Sequence, residues 1–258
     1  MAHIICVANQ KGGIGKSTTA QALTAGLLMK EHRTLLIDLD AQGNTTYTTR
    51  TNNTIYTSYE LLTGKSTAIE TIIKTEQGDF ISSGNGLSKL DLELNTIGKE
   101  YKLKEALEPV KKNYDFIILD TPPALGILTV NALTASDSLI IPAQADIYSL
   151  QGIGQLIETV NVVRQYCNPD LIINGILLTR HNKRAILSQD MTEMIEDTAD
   201  QLNTFVYKTM IREGIAVKEA QANRQDLFSY ALKSNAAQDY LSFIDELLER
   251  LKGECNNG

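Results

Sequence analysis

Cysteine, basic charge and long apolar runs are all scarce in this chain, and each scarcity removes a class of protein. The three cysteines, Cys6, Cys167 and Cys255, form an odd set with no C-x-x-C spacing. That argues against a disulfide framework and against a zinc site. Cys6 falls inside an apolar run and is expected to be core. No apolar run approaches the length of a membrane span. The opening residues, MAHIICVAN, carry neither a basic leader segment nor a cleavage site, so a reduced, cytoplasmic location is expected. The net charge is −7, so the surface as a whole is not built to coat nucleic acid, and any contact with DNA must come from a local patch. His3, His32 and His181 are scattered, and no Ser/His/Asp or Cys/His arrangement suggests itself. No internal repeat or low-complexity linker divides the 258 residues, a length that suits one large α/β domain as well as two small ones.

What is present concentrates between Cys6 and Thr19, CVANQKGGIGKSTT. An apolar lead-in runs into a glycine-rich loop, Lys16-Ser17 closes it, and a helical pattern follows. That is the layout of a phosphate-binding loop between a strand and a helix. Glycine lets the backbone approach a phosphate without a Cβ in the way. Successive N–H groups then form an anion nest, and the following helix adds the positive end of its dipole. Gly12, Gly13, Ile14 and Gly15 make the cradle. Lys16 is expected to reach the β- and γ-phosphates, Ser17 to ligate Mg²⁺, and Thr18 to lie near the α-phosphate. The strict pattern G-x-x-x-x-G-K-[ST] is not met, because its first position is Gln10. The loop instead carries a second lysine, Lys11, ahead of the glycines.

Apolar runs at His3 to Ala8, Thr34 to Asp38, Asp115 to Leu119, Ser138 to Ile141 and Leu171 to Leu178 read as buried strands, with weaker candidates at Gly78 to Ser82 and Thr204 to Ile211. Helical spacing appears at Ser17 to about Glu31, Ser58 to Leu62, Ala68 to Lys74, Lys99 to Lys112, Leu125 to Ala135, Gly152 to Tyr166, Leu187 to Leu202, Val217 to Ala222 and Leu241 to Leu251. Residues 45–57, rich in Thr and Asn, read as a loop. Strands alternating with helices predict an α/β single-domain P-loop NTPase, with a mostly parallel twisted sheet and helices on both faces. Ligands of such sheets bind beyond the strand C-termini. The loop at 9–16, Asp38, Asp40 and Asp120 all follow strands, so they converge on one edge. Asp120 sits as a magnesium-holding aspartate does after an apolar strand, stopped by Pro122-Pro123. Asp38 and Asp40 alternate on one face; one is expected to steady a Mg²⁺-bound water and the other to orient the attacking water.

The loop with Lys11 resembles the deviant Walker A motif of the ParA/MinD group of ATPases. LLIDLDAQGN resembles that group's switch I segment, with Ala41 where many relatives have proline, and ILDTPP resembles switch II. The resemblance covers nearly the whole chain. It implies ATP and ADP as ligands, Mg²⁺-dependent hydrolysis, and a homodimer in the ATP state in which Lys11 reaches the partner's nucleotide. It ties Asp40 to hydrolysis and makes Asp38 an accessory to the metal. The catalytic set expected from it is Lys11, Lys16 and Asp40, and the metal set is Ser17, Asp38 and Asp120. Beside the base, Thr179, Arg180, Met210 and Ile211 follow late strands and are candidate contacts.

Pro142, Gln144 and Ser149 to Gly152 resemble ParA rather than MinD. The tail carries Asp245, Glu246, Glu249 and Glu254 against Arg250 and Lys252, a face unsuited to anionic lipid, so no membrane partner is expected. From Gly175 to Asn235 there are eight Lys/Arg and eight Asp/Glu, so that window is neutral in an acidic chain. Arg180, Lys183, Arg184, Arg212 and Lys218 are the candidate DNA contacts there, sequence-blind and salt-sensitive. No helix-turn-helix precedes the loop, and residues 1–258 are expected to form one ATPase domain. The expected function is that of a short ParA/Soj-type partition ATPase, nucleoid-associated, which binds DNA non-specifically in the ATP state and is stimulated by a ParB-like partner. The alternatives are a MinD-like positioning ATPase at a membrane or pole, and a nucleotide-switched regulator without a DNA role.

Overall fold

Each central strand sends alternate side chains into two separate cores, and that alternation sets the architecture. The computed structural model describes residues 1–51, 54–75, 77–181 and 186–255. Its strands are β1 (His3–Val7), β2 (Thr34–Asp38), β3 (Ile73–Thr75), β4 (Gly78–Ile81), β5 (Phe116–Asp120), β6 (Ser138–Ala143) and β7 (Ile172–Leu178). They form one sheet in the order β3-β4-β2-β5-β1-β6-β7, parallel throughout except for β3 against β4. The helices are α1 (Lys16–Met29), α2 (Asn44–Thr48), α3 (Ser58–Leu62), α4 (Ala68–Thr71), α5 (Leu90–Glu93), α6 (Lys102–Leu107), α7 (Ile127–Ala135), α8 (Ile147–Tyr166), α9 (Ile186–Gln201), α10 (Ile215–Ala222), α11 (Leu227–Ala231) and α12 (Asn235–Cys255). Ile4 and Cys6 of β1 face a core shared with α7 and α8, whereas Ile5 and Val7 face a core built with α1 and α12. Strands buried on both faces need apolar residues at every position, which is why these runs are continuous. Gly26 of α1 lets α12 approach closely, since a Cβ there would meet the Ile244 side chain at 2.2 Å.

The parallel sheet covered on both faces agrees with the expected fold class, and several element boundaries differ from expectation. Residues 44–48 form α2 rather than a loop. The expected helix at 68–74 stops at Thr71, and Ile73–Thr75 pairs with β4 as an edge strand. The expected continuous helix at 99–112 is broken into a 3-10 turn, α6 and a second 3-10 turn around Pro109, which cannot supply an N–H to a helix interior. Strand β6 runs on through Pro142. Its ladder with β1 ends at Val7–Ile140, so the missing N–H costs no bond on that side. Helix α8 begins five residues earlier than expected, capped by Asp146, whose Oδ1 accepts from Ser149 N at 2.9 Å. Residues 204–211 are not a strand: they touch the β7 edge through one isolated bridge, Ile176 to Val206, while the amides of Lys208 and Thr209 donate to the Glu246 carboxylate of α12 at 3.0 Å each.

Parallel order brings the C-terminal ends of β1, β2 and β5 side by side. Asp38 stands in register with Asp120, and Val7 with Asp120.

Candidate phosphate-binding site

The loop after β1 ends at Gly15, which takes a left-handed φ of 90° and opens α1 with no side-chain cap. Only glycine adopts that conformation without strain. The first amides of α1 and the positive end of its dipole are thereby turned toward any anion placed there. Gly12, Gly13, Gly15, Lys16, Ser17 and Thr18 line a cleft of about 640 Å³. Asp40, Asn44 and Tyr47 stand on one side, and Thr179, Arg180, Ile211, Val217 and Lys218 stand on the other.

The two lysines of the loop face different ways. Lys16 is buried, and its Nζ donates to the Lys11 carbonyl oxygen at 2.9 Å. Burial lowers its pKa, against the opposing pull of Asp120 and Asp40. Lys11 points away from the cleft: its Nζ pairs with Asp146, donates to Gln144 Oε1 at 3.3 Å and lies 5.9 Å from the centre of the Tyr148 ring. Asn9 fixes the base of the loop, accepting from Lys11 N at 3.1 Å and donating to the Pro142 carbonyl at 2.8 Å. Partial burial works to raise the Asp146 carboxyl, but hydrogen bonds from Lys11 and the Ser149 amide outweigh it and hold it below the usual carboxylate range.

The aspartates form a buried cluster bound to α2. Asp120 Oδ2 accepts from Thr45 Oγ1 at 2.7 Å, whereas its Oδ1 is buried without a hydrogen-bond partner. Asp38 Oδ2 accepts from both Thr46 N and Thr46 Oγ1 at 2.8 Å, and its Oδ1 accepts from Asp40 N at 3.0 Å. Asp40 Oδ1 accepts from Gln42 N at 3.0 Å. Burial, and then the neighbouring Asp38 charge, push the Asp120 carboxyl up against hydrogen bonds from Thr45 and Ser17. Burial likewise raises Asp38, against the Thr46 and Asp40 donors.

This donor set fits a magnesium ion. A buried, unpartnered carboxylate oxygen beside Ser17, among carboxylates that resist ionising together, is relieved by a hard cation. Among the described residues no group of three or more His, Cys, Asp or Glu could hold a metal without help. That suits an ion that completes its shell with phosphate and water. Asp38, expected beside the metal, has both carboxylate oxygens occupied by Thr46 and Asp40 and anchors α2.

At the other end, Thr179 Oγ1 donates to the Ile14 carbonyl at 2.7 Å, and Arg180 Nη1 donates to the Gly13 carbonyl at 3.2 Å. Both therefore brace the phosphate loop from behind. Ile211 lines the cleft, while Met210 packs into the core under the sheet. Arg180 pairs with Glu213 and Arg212 with Asp239, each at 2.7 Å, and Lys218 lines the cleft wall. Lys183 and Arg184 lie outside the described residues. Thr45, Thr46, Asn9 and Asp146 were not anticipated as site residues. The available signal was GNTT immediately after the aspartates, where a glycine in left-handed conformation starts α2.

A family profile described as AAA domain matches residues 2–173. The chain is 40% identical to the sporulation initiation inhibitor protein Soj of Bacillus subtilis (strain 168), over 96% of this chain and 98% of that protein. It is 37% identical to the chromosome partitioning protein ParA of Myxococcus xanthus (strain DK1622), over 96% of this chain and 88% of that one. Among solved structures, cobyrinic acid a,c-diamide synthase from Mycobacterium smegmatis with bound ADP and magnesium superposes with a TM-score of 0.84 at 32% identity, covering 98% of this chain and 96% of that one.

Proposed function

The chain belongs to the ParA/MinD-type family of AAA-domain ATPases, and from that premise we propose that it works as a short ParA/Soj-type partition ATPase. It is an ATPase that takes Mg²⁺ with ATP or ADP. In this reading residues 1–258 act as one domain, ATP closes a homodimer, and the dimer holds DNA without sequence preference. A ParB-like partner stimulates hydrolysis and so releases the DNA. The working location is the nucleoid.

The residues divide the work by position. The amides of the glycine loop and of the first turn of α1 cradle the phosphates, and buried Lys16 places its ammonium among them. Ser17 and Asp120 would hold Mg²⁺, which when bound would supply charge neutralisation to the phosphates. Asp40, at the cleft wall with one carboxylate oxygen taken by Gln42, orients the attacking water. Asp38 keeps α2 in place through Thr46.

The observation that carries the dimer is the direction of Lys11. Its ammonium faces outward toward Asp146 and Gln144 instead of into its own cleft, so its reach serves a nucleotide held by a second copy. Two weak basic patches paired in a dimer bind DNA far more tightly than one, which makes DNA binding follow the nucleotide. Arg180 and Arg212, the described members of the candidate patch, are engaged with Glu213 and Asp239 and must exchange those partners for phosphates. A MinD-like membrane role is disfavoured by the tail. The apolar face of α12, with Phe243, Ile244 and Leu247, is buried in the core on the α1 side. Co-sedimentation of the protein with random-sequence DNA, with and without Mg²⁺-ATP, tests the reading. Binding only with ATP, lost as salt rises, supports it; binding to anionic vesicles in place of DNA transfers the chain to the MinD-like class.

A further inference from the structure

Helices α2 and α10 form facing walls of the cleft, and both end in the same uncommon way. The residue after the C-cap of each helix is in the left-handed region, Arg50 at φ 58° and Arg224 at φ 55°. Glycine is the usual occupant of that position. Here both are arginines, and each reaches the end of the opposite helix. Arg50 Nη2 donates to the Asn223 carbonyl at 3.1 Å. Arg224 Nε donates to the Tyr47 carbonyl at 2.8 Å, with its guanidinium carbon 4.6 Å from the centre of the Tyr47 ring. Each cation therefore meets the negative end of the other helix.

We propose that Arg50 and Arg224 form a reciprocal clasp between the two walls and act as positioning residues for the metal side of the nucleotide site. The proposal rests on the Mg²⁺-ATP reading above. Helix α2 has five residues, too few to persist unaided, and it hinges on Gly43 at φ 63°. Its inner side holds the aspartates through Thr45 and Thr46. Its outer side is held by the clasp. Helix α10 is tied in turn to the phosphate loop, because Gln221 Nε2 donates to Thr18 Oγ1 at 3.1 Å. The contacts thus run in a chain from Asp120 through Thr45, Tyr47, Arg224 and Gln221 to Thr18. Breaking that chain at the arginines loosens the outer side of α2, and with it the setting of Asp120 and Asp38, while the bonds of Thr45 to Gln21 and of Thr46 to Ser83 and the phosphate loop stay intact.

The left-handed backbone supplies a clean test. Arg224→Gly and Arg50→Gly remove the guanidinium and relieve the backbone at once, so a purely structural role predicts unchanged or lower stability and no cation-dependent effect. The measurement is the dissociation rate of a fluorescent N-methylanthraniloyl-ATP from wild type and both variants, chased in excess Mg²⁺ and separately in EDTA, with melting temperatures alongside. With Mg²⁺, each variant is expected to release the nucleotide about three- to tenfold faster than wild type. In EDTA the rates are expected to agree within about twofold, with melting temperatures equal or higher. Rates in Mg²⁺ within twofold of wild type, or equal acceleration in EDTA, overturn the clasp. A wild type that binds no nucleotide at all fails the ATPase reading instead, and is seen before any variant is compared.

Discussion

The two ends of the cleft are held in opposite ways. At the phosphate end, Lys16, Asp38 and Asp120 are buried, and one carboxylate oxygen of Asp120 has no partner. At the far end, Arg180 and Arg212 sit at the surface, each in a close pair with a carboxylate. Charge taken out of water interacts strongly and is costly to leave unbalanced, whereas charge at the surface is screened. The buried end is therefore poised for a ligand that brings both phosphate and cation. The exposed end is already satisfied, Arg212 by a two-point pair with Asp239 and Arg180 by Glu213 and the Gly13 carbonyl. On the function proposed above, tight, specific chemistry belongs at the first end, and weak, sequence-blind contact at the second.

The largest effect lies at the buried end. Lys16→Ala removes the ammonium buried beside the glycine loop and is expected to weaken ATP binding on the order of 100-fold or more by calorimetry. Normal affinity in that variant erases the difference between the two ends. Asp40→Ala is expected to bind ATP normally while its turnover falls roughly 100- to 10,000-fold, read as phosphate release. Turnover at the wild-type rate removes Asp40 from the water-positioning role.

The buried carboxylates also predict a pH dependence. Asp38 and Asp120 are raised to about 6 and about 8, so without ligand the folded chain keeps protons that the unfolded chain releases. The stability this contributes is full below the ordinary carboxylate value and is lost as pH rises through the folded values. The melting temperature of the ligand-free protein should decline from about pH 4 to about pH 8 on this account. Binding of Mg²⁺-ATP near pH 7 should expel on the order of one proton, measured by calorimetry in two buffers of different ionisation heat. Proton-neutral binding contradicts the electrostatics assigned to this end. The smallest effect belongs to the exposed end: Arg212→Glu should lower the salt dependence of DNA binding by about one counterion and leave ATP affinity intact.

How far the molecule was legible in its sequence follows the same division. The phosphate loop and the central strands were readable because their signals are local: a fixed glycine and lysine spacing, and runs of apolar residues buried on both faces. Helix α2 was not, because five Thr- and Asn-rich residues have no helical period, and their hold comes from Asp38 at the end of the preceding strand and from Asp120 at the end of distant β5. Residues 204–211 have the apolar character of a strand, but Glu246 takes two of their amides. The bonds of Asp38 to Thr46 were not legible for the same reason, because they depend on α2. The arginine clasp joins positions 173 and 177 apart, and nothing in either neighbourhood marks it.

The proposed dimer switch depends most directly on Lys11, the residue that faces out of its own cleft. Multi-angle light scattering of wild type and Lys11→Ala, each saturated with Mg²⁺-ATP under the same conditions, tests it. The mass of wild type should double on adding ATP, and Lys11→Ala should bind ATP yet remain a monomer. A Lys11→Ala variant that doubles in mass as wild type does contradicts the account.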